Sequence, residues 1–262
     1  MSRSVVGRTA VVCGASSGLG YAVAERLAAG GARVLLVSRS QRRLDAAVAA
    51  FRSADGAAAA CAVDLTEADA ARRIVEAARA AFGAPEIVVA NGGGPPGMPA
   101  VEAAAEDLEA ACRLLLLPVQ RLAAETLPAM RAAGWGRFVA ITSVAVRQPQ
   151  PGLVLSNSLR AAVTGYLKSL ADEVAADGVT VNTVCPGYTA TDRLGELAKN
   201  VAEREGVTTD EVFARWARQV PIRRLLRPEE VAAAVAFLCS DEASGMTGVA
   251  LPVDGGFSRS LL

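Results

Sequence analysis

The sequence contains no histidine among its 262 residues. This absence excludes Ser-His-Asp hydrolysis, Cys-His proteolysis and histidine-ligated zinc or haem, and it removes the side chain that most often serves as a general base. Any proton transfer carried out by this chain therefore needs another group.

The chain also lacks net charge, because 27 lysines and arginines balance 27 aspartates and glutamates. Without an overall positive field we expect no nucleic-acid or acidic-membrane partner. No stretch approaches the about 20 apolar residues of a membrane span, and the N-terminal segment does not resemble a signal peptide. The five cysteines form no CxxC pair, as is typical of reduced thiols. These absences together predict a cytoplasmic protein.

Short β-branched runs alternate with alanine-rich amphipathic segments along the whole chain. The predicted strands cover residues 9–13, 33–38, 59–65, 86–92, 136–143, 179–187 and 248–256. The predicted helices cover residues 21–30, 42–53, 71–82, 104–131, 156–176 and 227–240. This alternation predicts an α/β fold in which helical crossovers join parallel strands. With no repeat or linker in the sequence, we expect one domain over residues 1–262.

A glycine-rich loop follows the first predicted strand and leads directly into a helix. The loop covers residues 14–20 with the spacing GxxxGxG, and this context puts backbone amides where they can bind a pyrophosphate. The alternative is a turn that merely joins a strand to a helix. We favour nucleotide binding.

The second predicted strand ends at Ser38 and Arg39, where an NAD site would usually place an acidic residue. Arg39 offers a planar, permanently charged group suited to a 2′-phosphate, and Ser17 and Ser38 can add hydrogen bonds. The sequence therefore predicts NADP(H) as the cofactor. The alternative is a solvated arginine in a basic patch with Arg42 and Arg43.

Further markers follow the later strands. They are Asp64 and Leu65 after the third strand, Asn91, Gly92 and Gly93 after the fourth, Ser143 after the fifth, Pro186, Gly187 and Thr191 after the sixth, and Val253, Asp254, Gly255 and Gly256 near the end. With the glycine-rich loop, these markers resemble the short-chain dehydrogenase/reductase family over essentially the whole chain. The resemblance implies a single Rossmann-type three-layer domain with a seven-stranded, mainly parallel sheet. Many members of this family are 3-oxoacyl-acyl-carrier-protein reductases.

The resemblance also implies which residues hold the cofactor. The loop residues Gly14, Ser16, Ser17, Gly18, Leu19 and Gly20 would hold the pyrophosphate, Asp64 and Leu65 the adenine, Asn91 and Gly92 the adenosine ribose, and Pro186, Gly187, Thr189 and Thr191 the nicotinamide. Arg160 can donate to the nicotinamide ribose.

The catalytic residues of ordinary family members are mostly missing. Those members use a tetrad of Asn, Ser, Tyr and Lys, in which the tyrosine gives or takes the substrate proton. Alignment of residues 156–163 with the family pattern Tyr-x-x-x-Lys-Ala-Ala-Val puts Ser156 at the tyrosine position and Arg160 at the lysine position. Leu115 stands where the asparagine is expected, so only Ser143 remains of the tetrad.

These replacements change the chemistry more than the geometry. Ser156 and Arg160 are one helical turn apart, so both can face the nicotinamide. An aliphatic hydroxyl is a much weaker acid than a phenol, and arginine does not relay protons, so ketone reduction is poorly served. Hydride addition to a conjugated C=C needs only donors on the enolate oxygen, which Ser143, Ser156 and Arg160 can supply.

Residues 91–96, Asn157, Ser158 and residues 186–193 resemble a divergent subgroup that includes the olefin reductase of bacilysin biosynthesis. That enzyme is similar in lacking the Tyr and Lys. We favour an NADPH-dependent oxidoreductase that adds hydride to a conjugated C=C of a small metabolite. The alternatives are carbonyl reduction or alcohol oxidation by a nonstandard proton path, and an NADPH-binding protein without redox activity.

The segment before the last helix is long and polar. Residues 189–218 have the length and mixed polarity of a lid over the nicotinamide pocket, or of a helical insertion packed on its rim.

The predicted helices 104–131 and 156–176 are apolar around their circumference. They resemble the two helices that usually form the dimer interface, or seam, in this family. Residues 251–256 resemble a second seam. We therefore expect a homotetramer or a homodimer. Arg147, Arg160 and Arg193 are candidates for an acidic substrate group.

Overall fold

A computed structural model of the chain describes residues 5–54 and 56–261, so residues 1–4, 55 and 262 of the predicted domain lie outside the described part. Its centre is a seven-stranded sheet with the order β3-β2-β1-β4-β5-β6-β7, in which all neighbouring strands are parallel. The strands are β1 Thr9–Cys13, β2 Arg33–Ser38, β3 Ala58–Ala62, β4 Ile87–Ala90, β5 Gly136–Ile141, β6 Val179–Pro186 and β7 Ala250–Val253. The predicted α/β fold is thereby confirmed.

Helices cover both faces of the sheet. They are α1 Gly18–Ala29, α2 Gln41–Ser53, α3 Ala70–Ala81, α4 Ala105–Ala133, α5 Val154–Val174, α6 Asp192–Glu205, α7 Thr209–Gln219 and α8 Pro228–Leu238. The apolar sides of α1, α2 and α8 pack on one face, and those of α3, α4 and α5 on the other. The inner strands are buried on both faces, which explains their continuous apolar runs.

The last five strands each end earlier than the sequence pattern predicts, and β3 and β7 end for a clear local reason. The predicted third strand continued to residue 65, but β3 ends at Ala62, before a turn in which Asp64 accepts hydrogen bonds from Thr66. The predicted last strand continued to residue 256, but Gly255 and Gly256 have φ angles of 63° and 85°. Those angles belong to the left-handed region and cannot continue a strand.

The polar segment predicted at 189–218 forms most of the helical pair α6 and α7. Leu194, Ala198, Val212 and Trp216 form a small core of their own between these two helices. The ring of Trp216 also stacks on Tyr188, with centroids 5.0 Å apart and planes 7° apart. A helical pair fits both the lid and the rim insertion, so its role as a lid stays a prediction.

A cluster around Trp135 closes the opposite, amino-terminal edge of the sheet. The guanidinium groups of Arg8 and Arg137 lie 3.9 Å and 4.3 Å from the centroid of the indole. The indole N–H donates to Asp241 at 2.9 Å. Arg137 is 2% exposed, and burial lowers its pKa from the ordinary value. In the described part of the chain, the helices are too short or too polar to cross a membrane.

Candidate active site

A cleft of about 1050 Å³ lies at the carboxyl ends of the strands. It crosses the point between β1 and β4 where the strand order reverses, which is the usual ligand position in open parallel sheets. The volume exceeds the roughly 300–1,000 Å³ of a pocket for one drug-sized ligand. The cleft therefore has space for a dinucleotide together with a small substrate.

All but one of the predicted catalytic and cofactor-binding residues line this cleft. They are Gly14, Ser16, Ser17, Gly18, Leu19, Ser38, Arg39, Asp64, Leu65, Asn91, Gly92, Ser143, Ser156, Arg160, Pro186, Gly187, Thr189 and Thr191. The exception is Gly20, which is buried in the first turn of α1. A Cβ at Gly20 would lie 2.2 Å from the carbonyl oxygen of Gly14. Gly20 therefore allows close packing of α1 against the backbone of the loop and does not line the cleft.

The loop before α1 has the geometry of an anion-binding site. Ser17 is the N-cap residue of α1, but its side chain makes no capping hydrogen bond. The first amides of α1 therefore lack a side-chain acceptor, and they lie at the positive end of the helix dipole. Gly14 has φ 62°, and a Cβ there would lie 2.6 Å from Nδ2 of Asn91. The described loop fits a pyrophosphate group.

Three arginines form the basic end of the cleft. Arg39, Arg42 and Arg43 line it with exposed side chains, and none of them makes an ion pair with another described residue. Asp64 lies near them, and hydrogen bonds from Thr66, with a smaller effect of the Arg39 charge, lower the pKa of its carboxyl group. The three cations suit a phosphate monoester beside an ionised carboxylate.

Ser143 and Ser156 each have an oxygen that already accepts a hydrogen bond. Ser143 follows β5, and its Oγ accepts from the backbone amide of Ala145 at 3.1 Å. Ser156 lies in the first turn of α5, and its Oγ accepts from Nε of Arg160 at 3.1 Å. A serine hydroxyl has one hydrogen to donate, and neither hydrogen is used in these bonds. Both serines can therefore donate a hydrogen bond into the cleft.

Arg160 is fixed by uncharged oxygen atoms. Besides the bond from Nε, its Nη1 donates to the carbonyls of Ile141 at 3.2 Å and Thr142 at 3.0 Å, and its Nη2 donates to Gly93 at 3.4 Å. These bonds use four of its five N–H groups. Burial, with a smaller effect of the nearby Arg193 charge, lowers the pKa of Arg160 to about 10. Within the described residues this cation has no carboxylate partner.

No tyrosine lines the cleft in the described part of the chain. Tyr166 packs against the core beneath α5, Tyr188 stacks on Trp216, and Tyr21 packs on Phe51. Burial is the main cause that raises the pKa of all three phenols above the ordinary value. A phenol that could serve as the substrate's acid is therefore absent from the cleft walls.

Leu115, which the sequence alignment puts at the asparagine position, is buried in the middle of α4. It lines a small cavity behind Arg160 together with Leu114 and Pro118. An aliphatic side chain there offers no hydrogen bond to the site. The structure thus brings Leu115 to the same cavity as Arg160 without giving it a polar function.

Asn157, a marker of the divergent subgroup, also has a structural role in the site that the sequence does not reveal. Asn157 accepts from the amide of Gln150 at 3.2 Å and donates to its carbonyl at 3.0 Å, which anchors the loop before α5. This anchoring role carries no distinctive sequence signal. Arg147, a candidate for an acidic substrate group, instead donates to the carbonyl of Ala250 at 2.7 Å and does not line the cleft.

The chain resembles known proteins over nearly its whole length. Residues 14–258 match the family described as enoyl-(acyl carrier protein) reductase. The chain is 35% identical over 250 residues to the 3-oxoacyl-acyl-carrier-protein reductase FabG of Escherichia coli K12, covering 95% of this chain and 97% of that protein.

Solved structures resemble the whole chain. L-sorbose reductase from Gluconobacter frateurii, solved with NADPH and L-sorbose, has a TM-score of 0.94 at 33% identity, covering 100% of both chains. YwfH, an NADPH-dependent reductase involved in bacilysin biosynthesis, has a TM-score of 0.91 at 25% identity, covering 97% of this chain and 99% of its own.

Proposed function

Since the chain belongs to the short-chain dehydrogenase/reductase family of NAD(P)H-dependent oxidoreductases, we propose that it is an NADPH-dependent reductase of a conjugated C=C bond. One observation carries this proposal. The hydroxyls of Ser143 and Ser156, the latter held by Arg160, can donate into a cleft that no tyrosine of the described chain lines.

The cofactor assignment follows the chemistry of the cleft walls. The uncapped amides of α1 would hold the pyrophosphate, and Arg39 with Ser17 and Ser38 would hold the 2′-phosphate. The glycine loop and the three arginines without ion pairs fit these groups. NADPH is also the nucleotide named for L-sorbose reductase and for YwfH. When bound, NADPH supplies the hydride.

The resemblance to the family assigns the rest of the cofactor. Asp64 and Leu65 would contact the adenine, Asn91 and Gly92 the adenosine ribose, Arg160 the other ribose, and Pro186, Gly187, Thr189 and Thr191 the nicotinamide. All these residues line the same cleft, which supports their assignment as one binding site.

The residues of this chain would act on the substrate as hydrogen-bond donors. Ser143 and Ser156 would bind the carbonyl oxygen, on which negative charge develops as an enolate forms. The fixed charge of Arg160 would stabilise that oxygen electrostatically. The carbon of the enolate can then take its proton from water, so no side chain with the acidity of a phenol is required.

Carbonyl reduction is the second candidate. The names of FabG and L-sorbose reductase describe enzymes that reduce carbonyl groups, and both relatives match nearly the whole chain. Arg160 also has its pKa lowered to about 10, close to the ordinary value of a phenol. A proton path from Arg160 through the hydroxyl of Ser156 would serve an alkoxide.

A single substrate distinguishes the candidates. Incubation of 2-cyclohexenone with NADPH should yield cyclohexanone, identified by gas chromatography, because the conjugated C=C is reduced. Formation of the allylic alcohol would instead support carbonyl reduction. If neither product forms from a panel of enones and ketones although NADPH binds, the non-redox alternative gains support.

Substitution of the two serines tests the donors directly. Ser143→Ala and Ser156→Ala should each lower kcat/KM by about 100-fold, the usual cost of losing one donor to a developing oxyanion. Ser158→Ala is the matched control, because Ser158 is an exposed serine on the same helix as Ser156. Unchanged activity in both site variants would contradict the proposed role of the hydroxyls.

A further inference from the structure

Two guanidinium groups converge on one turn at the mouth of the cleft. Arg160 reaches this turn from α5 and donates to the carbonyl of Gly93 at 3.4 Å. Arg193 reaches it from α6 and donates to the carbonyl of Pro95 at 2.8 Å. A Cβ on Gly94 would lie 3.0 Å from Nη2 of Arg193. The absence of a side chain at Gly94 therefore allows the second guanidinium to lie against the turn.

The positive charge at this turn is poorly compensated. Arg160 donates only to uncharged oxygens, as described above. Nη1 of Arg193 lies 3.3 Å from Glu196, but that side chain is 64% exposed, and such solvated ion pairs are weak. Asp192 also lines the cleft, but it lies in the first turn of α6, where the helix amides stabilise its charge.

The two arginines still have donors to offer. Arg193 has three N–H groups left, since its Nη1 and Nη2 each make one hydrogen bond. Arg160 has one left on Nη2, which is proposed to contact the nicotinamide ribose, so its contribution to a second ligand is mainly its charge. Such planar donors match the two oxygens of a carboxylate. Arg39, Arg42 and Arg43, at the other end of the cleft, suit the 2′-phosphate of the cofactor. The basic end formed by Arg160 and Arg193 therefore needs a second anionic ligand.

We infer that the substrate carries a carboxylate, which binds between Arg160 and Arg193 at the turn of residues 93–95. The neighbouring walls are apolar, because Leu153, Leu194 and Leu197 line the same cleft. The substrate is therefore a small carboxylic acid with an apolar portion next to the group that is reduced. This inference rests on the proposed function only for the position of the reacting group.

Binding to the complex with NADP⁺ tests the inference without turnover. The probes are 4-oxopent-2-enoate and its methyl ester, which share the conjugated ketone and differ in charge. Calorimetry should show that the wild-type complex binds the acid at least about tenfold more tightly than the ester, as expected for a charged hydrogen bond. Arg193→Gln should remove this preference and leave the affinity for the ester unchanged.

Two further variants keep the test specific. Gly94→Ala should also weaken binding of the acid, because the added methyl would lie 3.0 Å from Nη2 of Arg193 and would shift that guanidinium away from the turn. Lys199→Gln, which removes an exposed cation from the same helix, should leave the preference intact. Equal binding of acid and ester by the wild type, no binding of the acid, or a preference that survives in Arg193→Gln would each overturn the inference.

The outcomes separate this inference from the proposed reaction. If the acid binds selectively but NADPH does not reduce it or any other enone, the proposed reaction is wrong and the carboxylate site stands. If the ester is bound and reduced as well as the acid, the reaction stands and the carboxylate site is wrong.

Discussion

At the scale of single residues, Ser156 and Arg160 keep the spacing of a tyrosine and lysine pair but not its acid–base chemistry. The serine oxygen accepts from the guanidinium at 3.1 Å, so the cation orients the hydroxyl for donation. A serine hydroxyl does not ionise in the range in which proteins are stable. Catalysis by this pair therefore depends on hydrogen bonding and on the charge of Arg160.

This dependence predicts the pH profile of the reaction. Arg160 is charged below its pKa of about 10 and loses its proton as the pH rises through that value. We expect kcat/KM for an enone to stay level from about pH 6 to about pH 9. In this range carboxylates are ionised, phenols are protonated and Arg160 is charged. The value of kcat/KM should then fall towards pH 10, as followed in initial-rate assays. A decline centred near neutral pH would reveal a different titrating group.

At the scale of secondary-structure elements, the sequence predicts those features that are set by residues close together along the chain. The strands and helices follow from apolar periodicity, and the glycine loop from its spacing. The bond from Arg193 to Pro95 crosses 98 positions of the chain and the pair of Asn157 with Gln150 crosses 7, so neither appears in any local pattern. These contacts depend on the packing of whole elements and become visible only in the fold.

The junction of β2 and α2 is predicted to select the cofactor. Arg39→Glu should raise the KM for NADPH about 10- to 100-fold, because a charged hydrogen bond to the 2′-phosphate is lost and replaced by repulsion. The KM for NADH, which lacks that phosphate, should change little. Arg79→Glu, at an exposed arginine of α3, is the control for the change in net charge. An unchanged ratio of the two KM values would mean that Arg39 is merely solvated.

At the scale of the whole molecule, the outer side of α5 contains a glycine that packing within one subunit does not explain. Gly165 is exposed in the middle of that helix, and an added Cβ would meet no atom within 4 Å. A glycine inside a helix is less stable than alanine by roughly 0.5–1 kcal/mol. A close approach of a second subunit would explain the glycine, in agreement with the predicted seam of α4 and α5.

The predicted homotetramer can be tested at this position. Gly165→Glu should dissociate the assembly into smaller species, measured by size-exclusion chromatography with light scattering, because a charged side chain would enter the seam. Gly195→Glu on α6 is a matched control, since a Cβ there also meets no atom within 4 Å. A wild-type protein that is monomeric at micromolar concentration would refute the oligomer, and an intact Gly165→Glu assembly would refute this seam.

The stacking of Trp216 on Tyr188 also gives the protein a natural optical reporter. The chain has two tryptophans, and the other, Trp135, contacts two arginines at the opposite edge of the sheet. Trp216 belongs to the small core that α7 shares with Leu194, a residue of the cleft wall. In a Trp135→Phe protein, the remaining indole emission would come from Trp216 alone, and a ligand titration would report any change in the surroundings of α7.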